Sequence, residues 1–422
     1  MSMSALFAEL KWRGLLSQAT QQIERHLTER RTVYCGFDPT APSFQVGNLM
    51  PLMLLRRFQL HGHRPIVLMG GGTGLIGDPS GKQTERALLS KDEIRQNVHR
   101  QRDQLGRLFD FDSKDTRVLV LNNADWLVEQ RLVDFLRDIG KHFSVNVMMQ
   151  KESVKARLDS GISYTEFSYM LLQAYDFLHL FRTQECTIQV GGSDQWGNIT
   201  AGIDLIRRVA AGEAHGLVAP LFTTAAGAKF GKTASGAVWL DAALTSPYQL
   251  YQFWVNTDDR DVEQQLKLFS DLTEDEIKAL IRSHHKDPGR REAQRRLALS
   301  VTQLVHGDAA RAAGVAAEVL FGDFDPHAAD GGVFDTLARE IPTTAVSSRD
   351  TLTLVDAVVR VGLAQSKSEA RRSIEQGGIY LNQQRVKEVD KRIEPGDWLA
   401  DRNVLLRKGK KDYALLRVAA VR

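Results

Sequence analysis

Tyr34-Cys35-Gly36-Phe37-Asp38-Pro39-Thr40-Ala41-Pro42-Ser43-Phe44-Gln45-Val46-Gly47-Asn48-Leu49 decides how this chain is read. Val33 to Phe37 is a short β-prone run. Asp38-Pro39-Thr40 breaks it, because proline fixes φ and removes a backbone donor. From about Val46 the pattern becomes helical, with Leu49, Leu52, Met53, Leu55 and Phe58 three and four apart. A polar turn between the carboxyl end of a strand and a helix N-terminus is where α/β sheets bind anions, although an ordinary surface loop reads the same way.

Working outward, Leu6 to Arg31 reads as one or two amphipathic helices, and Ile66-Val67-Leu68-Met69 as a buried parallel strand. Gly70-Gly71-Gly72-Thr73-Gly74-Leu75-Ile76-Gly77-Asp78-Pro79 follows. It contains Gly-x-Gly-x-x-Gly, but Pro79 and Gly81 interrupt the helix that a dinucleotide site needs. Gly81-Lys82-Gln83 and Gly231-Lys232-Thr233 both miss the phosphate-loop pattern. Val118 to Asn122 is a further strand and Leu132 to Ile139 a helix, and the β–α alternation predicts a doubly wound parallel sheet. In residues 161–181, Ser163 and Glu166 form a capping-box pattern, and Tyr169, Gln173 and Asp176 share one helix face. Such a stripe is a solvated face or the wall of a polar pocket.

Ile188 to Asn198 makes another strand-to-helix turn, in which Asp194 suits a sugar hydroxyl. Lys229-Phe230-Gly231-Lys232-Thr233 lies in a Gly-rich loop, and Pro247 to about Val319 reads as helical throughout. Phe321 to Arg349 reads as a linker, and Leu352 to Leu416 as a small α+β unit with a strand at Ile379–Leu381 and a turn at Asn382-Gln383-Gln384.

The chain has 422 residues, 43% of them hydrophobic and 25% charged, enough for two or three packed domains. No apolar run approaches bilayer length and no signal-peptide pattern opens the sequence. Cys35 and Cys186 are the only cysteines, which fits a reducing cytoplasm and argues against a zinc or disulfide framework. Residues 350–422 hold 15 Lys and Arg against 10 Asp and Glu, so this tail carries +5 and the rest −2. A basic tail suggests phosphate-backbone contact.

Phe37-Asp38-Pro39-Thr40 with Gln45-Val46-Gly47-Asn48, Gly191-Gly192-Ser193-Asp194-Gln195-Trp196-Gly197-Asn198 and Lys229-Phe230-Gly231-Lys232-Thr233 resemble, in order, the motifs of class I aminoacyl-tRNA synthetases in the bacterial tyrosyl form. The resemblance covers essentially the whole chain. It implies a Rossmann-like catalytic domain at 1–240, a helical anticodon-side domain at 241–325, a linker at 326–350 and an S4-like RNA-binding domain at 351–422. It implies activation of L-tyrosine with ATP and transfer to tRNA(Tyr), in a cytoplasmic homodimer with no membrane partner. Magnesium would travel on the ATP phosphates, without a dedicated protein metal site.

Carried over by position, Tyr34 and Asp176 face the substrate phenol. Tyr169, Asp78 and Gln173 hold its ammonium, with Thr73 and Gln195 nearby. Cys35, Gly36, Asp38, Gly47, Gly192 and Asp194 contact ATP or the adenylate. Thr40, Gln45, Asn48, Lys82, Arg86, Lys229, Lys232 and Thr233 serve the phosphates. Arg371, Arg372, Lys387, Lys408, Lys410 and Lys411 are the expected tRNA contacts. Gln45 and Asn48 stand where the signature usually has His-x-Gly-His; an amide donates to phosphate as a neutral imidazole does, but never becomes cationic. A tryptophanyl-type synthetase and a catalytically weakened RNA-binding relative are the alternatives, and Pro79 disfavours a nicotinamide oxidoreductase.

Overall fold

The computed structural model describes residues 5–80, 88–151, 154–155, 161–225, 227, 230–233, 236–347 and 352–419. The chain divides into two compact units. One comprises Met1–Thr245 with Asn256–Val305, the other Ser246–Val255 with His306–Arg422. The helical stretch expected as a domain of its own is therefore shared between them.

The first unit is built on a six-stranded sheet. Its strands are β1 (Gln18–Ala19), β2 (Thr32–Phe37), β3 (Arg64–Met69), β4 (Leu119–Asn122), β5 (Cys186–Gly192) and β6 (His215–Ala219), in the spatial order β1-β6-β5-β2-β3-β4. All pairs are parallel except β1 with β6. From β2 the chain winds outward through β3 and β4, then returns to build β5 and β6 on the other side. The order therefore reverses between β2 and β5, and ligands bind at the carboxyl ends of such a reversal. The expected leading helices include a short antiparallel edge strand, β1, as well as Leu6–Arg13 and Ile23–His26.

Helix Leu49–Leu60 follows β2 and buries Leu52, Met53, Leu55 and Phe58. Its far end is anchored. Arg57 Nη2 donates to Ser270 O at 2.6 Å, Arg56 pairs with Asp271 at 2.6 Å, and His61 Nε2 meets Glu9 Oε2 at 2.5 Å. Burial draws the Arg57 guanidinium down to about 10, with neighbouring Arg13 adding to it. Helix Tyr164–Gln184 starts at Ser163, whose hydroxyl accepts the Glu166 N–H at 3.2 Å. It packs Phe177 edge-on against Tyr34. The stretch read as continuously helical is broken into Pro247–Val255, Val262–Phe269, Glu274–Lys286, Glu292–His306 and Ala309–Phe321.

In the second unit, residues read as a linker carry a helix, Gly331–Glu340, and a strand, β9 (Thr343–Val346). The sheet there also contains β10 (Ile379–Leu381), β11 (Gln384–Val386), β12 (Asn403–Lys408) and β13 (Asp412–Val418), in the order β11-β10-β12-β13-β9. Strand β9 lies parallel to β13, so the supposed linker supplies an edge of the module. Asn382 and Gln383 both take positive φ, 49° and 69°, as the tight hairpin between β10 and β11 requires. Helices Leu354–Arg360 and Lys367–Glu375 pack on this sheet through Leu354, Val358, Ala370 and Ile374.

Candidate functional site

The carboxyl ends of β2, β3, β4 and β5 converge with one face of helix Tyr164–Gln184. Asp38, just after β2, accepts from Thr73 Oγ1 at 2.8 Å and from the Tyr169 hydroxyl at 3.0 Å. Thr73 follows β3 through a glycine run, and Gly70 is obligatory there. A Cβ on Gly70 would stand 2.2 Å from Asp38 Oδ1 and 2.6 Å from Thr73 Oγ1. Asn123, just after β4, donates to Thr73 Oγ1 at 3.0 Å and to Asp176 Oδ2 at 2.9 Å. Its own carbonyl accepts the Gly72 N–H at 2.7 Å. The Trp126 indole N–H donates to Asp176 Oδ1 at 2.7 Å, and its ring stacks on His179 with centroids 4.3 Å apart.

Asp176 is 2% exposed. Burial pushes its carboxyl up, and the donors Asn123 and Trp126 pull it back, leaving it at about 7. Tyr34 points to the same region. Its hydroxyl is buried with no hydrogen-bond partner among the described residues, and burial with the nearby Asp176 charge pushes its pKa well above 10. The Asp176 carboxylate, when ionised, and the nearby Tyr34 hydroxyl can together receive a group that both donates and accepts.

A second cluster adjoins the first. Gln195 Nε2 donates to Asp78 Oδ2 at 2.6 Å, and Gln195 Oε1 accepts from Gln173 at 3.2 Å and from Asn198 at 3.1 Å. Burial and the charges of Asp38 and Asp78 raise the Tyr169 phenol well above 10. Two carboxylates with oriented amides suit an ammonium group.

The remaining side of the site is more open. Gly36 and Gly47 are exposed, Gly192 and Asp194 are half-buried, and Thr40 is exposed with its N–H on Asp38 O at 2.8 Å. Cys35 is buried, and its thiol is raised by burial and by Asp194. Gln45 and Asn48 are half-buried in the turn before helix Leu49–Leu60. The second signature loop meets this turn through backbone. Gly231 sits at φ +86°, and a Cβ there would lie 3.0 Å from Gly47 N. Strand β7 (Lys232–Thr233) pairs with β8 (Gly236–Ala237). Lys82, Arg86 and Lys229 lie outside the described residues, as do the side chains of Lys232 and Thr233.

In the second unit Arg371, Arg372, Lys387, Lys410 and Lys411 are exposed, while Lys408 is half-buried and bonded to Glu369 at 2.7 Å. Sequence reading missed Asn123, Trp126 and Gln189. Gln189 is in register with Tyr34 and has a buried Oε1 with no partner among the described residues. Asn123 and Trp126 could have been found from their place just after a parallel strand.

The family model "tRNA synthetases class I (W and Y)" matches residues 26–321, and "Tyrosine--tRNA ligase SYY-like C-terminal domain" matches 334–416. The chain is similar to the tyrosine–tRNA ligase of Roseiflexus castenholzii, 50% identical over 99% of this chain and the whole of that protein. It is 49% identical to that of Geobacillus stearothermophilus over 98% of this chain and the whole of that protein. Among solved structures, a C-terminally truncated mitochondrial tyrosyl-tRNA synthetase of Aspergillus nidulans superposes with a TM-score of 0.69. The identity is 32%, over 75% of this chain and 94% of that one.

Proposed function

The chain belongs to the class I tRNA synthetases of the W and Y group, and we propose that it is a tyrosine–tRNA ligase. It joins tyrosine to ATP as tyrosyl-adenylate, releasing pyrophosphate, and then transfers the tyrosyl group to the 3′ end of tRNA(Tyr). The observation that carries this reading is Asp176, a buried acceptor held by Asn123 and Trp126 with the buried Tyr34 hydroxyl nearby. A phenol donates to Asp176 and accepts from Tyr34. An indole N–H satisfies only Asp176, and phenylalanine satisfies neither, leaving buried polar groups unpaired.

Tyr169, Asp78 and Gln173 hold the ammonium, supported by Thr73 and Gln195. Asp38, Asp194, Gly192, Cys35, Gly36 and Gly47 face the adenylate. The substrate carboxylate is ionised near pH 7 and attacks the α-phosphorus while pyrophosphate leaves, so no general base is needed. Positioning and stabilisation of the departing charge supply the catalysis. Thr40, Gln45, Lys82, Arg86, Lys229, Lys232 and Thr233 are the donors and cations for it. Magnesium enters as part of the ATP substrate. Arg371, Arg372, Lys387, Lys408, Lys410 and Lys411 meet tRNA phosphates.

The working form is a homodimer. Val128, Leu132, Val133, Leu136, Val145, Val147, Met149 and Tyr164 are exposed large apolar side chains within one stretch of the first unit, and a second copy would cover them. No described helix is long and apolar enough to cross a membrane. The two cysteines are free and buried, which suits a reducing cytoplasm. ATP–pyrophosphate exchange with tyrosine, phenylalanine or tryptophan tests the reading. Exchange is expected with tyrosine alone; exchange with tryptophan, or none from folded protein that binds tRNA, would overturn it.

A further inference from the structure

The two donors that hold Asp176 are not equally secured. Asn123 is 1% exposed, and its own carbonyl and amide are tied to Gly72 and Thr73. Trp126 is half-buried on a helix of only four residues, Ala124–Leu127, with Asp125 before it and Val128 beyond it exposed. Its bond to Asp176 Oδ1 fixes where the indole N–H points, but a single bond at a ring's edge leaves the plane of the ring open. His179 sets that plane. The two rings lie face to face, 14° apart in plane with centroids at 4.3 Å. His179 stands three residues after Asp176 on helix Tyr164–Gln184, so the residue one turn on supports the ring that bonds the carboxylate. Tyr175 lies 6.4 Å from the His179 ring and meets Phe135 edge-on at 5.6 Å, so an aromatic row backs the imidazole. Burial lowers the imidazole below its ordinary 6.5, which keeps it neutral near pH 7 and brings no charge against the carboxylate. His179 lies outside every motif read from the sequence.

We infer that His179 is a positioning residue for amino-acid selection: by stacking on the Trp126 indole it keeps the indole N–H on Asp176, and it acts through that ring rather than on the substrate. The inference rests on the proposed role of Asp176 as acceptor of the substrate phenol. Stacked rings gain more than the area they bury, so a flat side chain at this position holds the indole in its plane. Without it, the half-buried indole turns away and Asp176 loses a donor. A carboxylate that loses a donor binds its proton more tightly, and the protonated form is no longer the acceptor that a phenol needs. Asp176 also faces Asn123 after β4, Asp38 after β2, Tyr34 on β2 and Tyr169 on its own helix, and these stay in place when His179 is changed.

His179→Ala and His179→Phe, each alone and combined with Trp126→Phe, test this in the full-length protein through tyrosine binding as a function of pH. In the wild type the midpoint is expected at about 7. In His179→Ala it should rise by about one pH unit, so that binding at pH 7 is about fivefold weaker and approaches the wild type by about pH 8.5. A merely structural loss would weaken binding equally at every pH. His179→Phe keeps a ring for the stack and should restore the midpoint. With Trp126→Phe the donor is already gone, and adding His179→Ala should change nothing further. The Trp126 indole N–H resonance of the unliganded protein, identified by its loss in Trp126→Phe, gives a readout that needs no substrate. Its exchange with solvent should speed up in His179→Ala and keep the wild-type rate in His179→Phe. An unmoved midpoint, additive effects of the two substitutions, or unchanged indole exchange in His179→Ala would overturn the inference. Failure of the wild type to bind tyrosine, with indole exchange responding as expected, would instead count against the proposed substrate.

Discussion

At the end of the site proposed for the phenol a carboxylate is held by side chains from distant elements; at the end proposed for the phosphates a turn is held by its own backbone and by one amide three residues away. Asp176 receives bonds from Asn123 and Trp126, about fifty positions earlier in the chain, and Asn123 continues to Thr73 and Asp38. The Gln45–Asn48 turn relies on Asn48, on Val238 and on close approach by Gly231. The contrast follows from what each end must do. Recognising a neutral hydroxyl requires burial, and buried polar groups must be fully oriented. Meeting a polyphosphate requires donors and cations, which are cheaply solvated until the ligand arrives and so can sit on loops.

The largest expected effect strikes the phenol end. Asp176→Ala removes a charge-assisted bond to substrate and leaves Asn123 and Trp126 donors without their acceptor. Bonds to charged groups contribute about 1.5–3 kcal/mol, so kcat/KM for tyrosine should fall up to roughly 100-fold. Steady-state exchange measures it, and a loss confined to the ATP parameters would erase the distinction between the two ends. The same carboxyl gives a pH signature. With its pKa raised to about 7, Asp176 is ionised above that value and protonated below it. Tyrosine affinity should therefore weaken as pH falls below about 7, approaching tenfold per unit. Asp176→Asn should flatten the dependence, as binding titrations would reveal.

Much of this was legible in the sequence where the signal is local. The spacing of Tyr169, Gln173 and Asp176 put all three on one helix face, and their side chains bond to Asp38, Gln195 and Asn123 after β2, β5 and β4. The parallel strands announced themselves as short apolar runs ending in polar turns. What escaped depends on pairing between distant segments. Strand β1 has two residues and β9 four, too short for a period, and each exists because an edge of a sheet accepts it. Asn123 and Trp126 sit in an unremarkable strand-to-helix turn, and only the fold brings Asp176 to them. The Asn48 carbonyl oxygen accepts the Gln45 N–H, a contact within the turn that the sequence reading did not include.

At the phosphate end, Gln45→Ala should lower the activation rate about tenfold, roughly 1.4 kcal/mol, while tyrosine affinity without ATP stays as it was. Single-turnover adenylate formation separates the two quantities. A change in tyrosine affinity alone would place Gln45 at the wrong end of the site.

The smallest effect sharpens the comparison most, because it pulls stability and function apart at one atom. The Tyr34 hydroxyl is buried and has no hydrogen-bond partner among the described residues. A buried polar group in that state costs about 1–3 kcal/mol. Tyr34→Phe removes it while keeping the ring against Phe177, so the free protein should gain on the order of 1 kcal/mol and unfold at a higher temperature. The substrate phenol loses one neutral bond, and kcat/KM for tyrosine should fall about fivefold, roughly 1 kcal/mol. Discrimination against phenylalanine should narrow as well, because one fewer buried group is left unpaired when phenylalanine binds. Thermal melts and exchange rates on the same variant decide it. Lower stability in Tyr34→Phe would mean the hydroxyl is satisfied before substrate binds, and the phenol end would then be as self-contained as the turn that faces it.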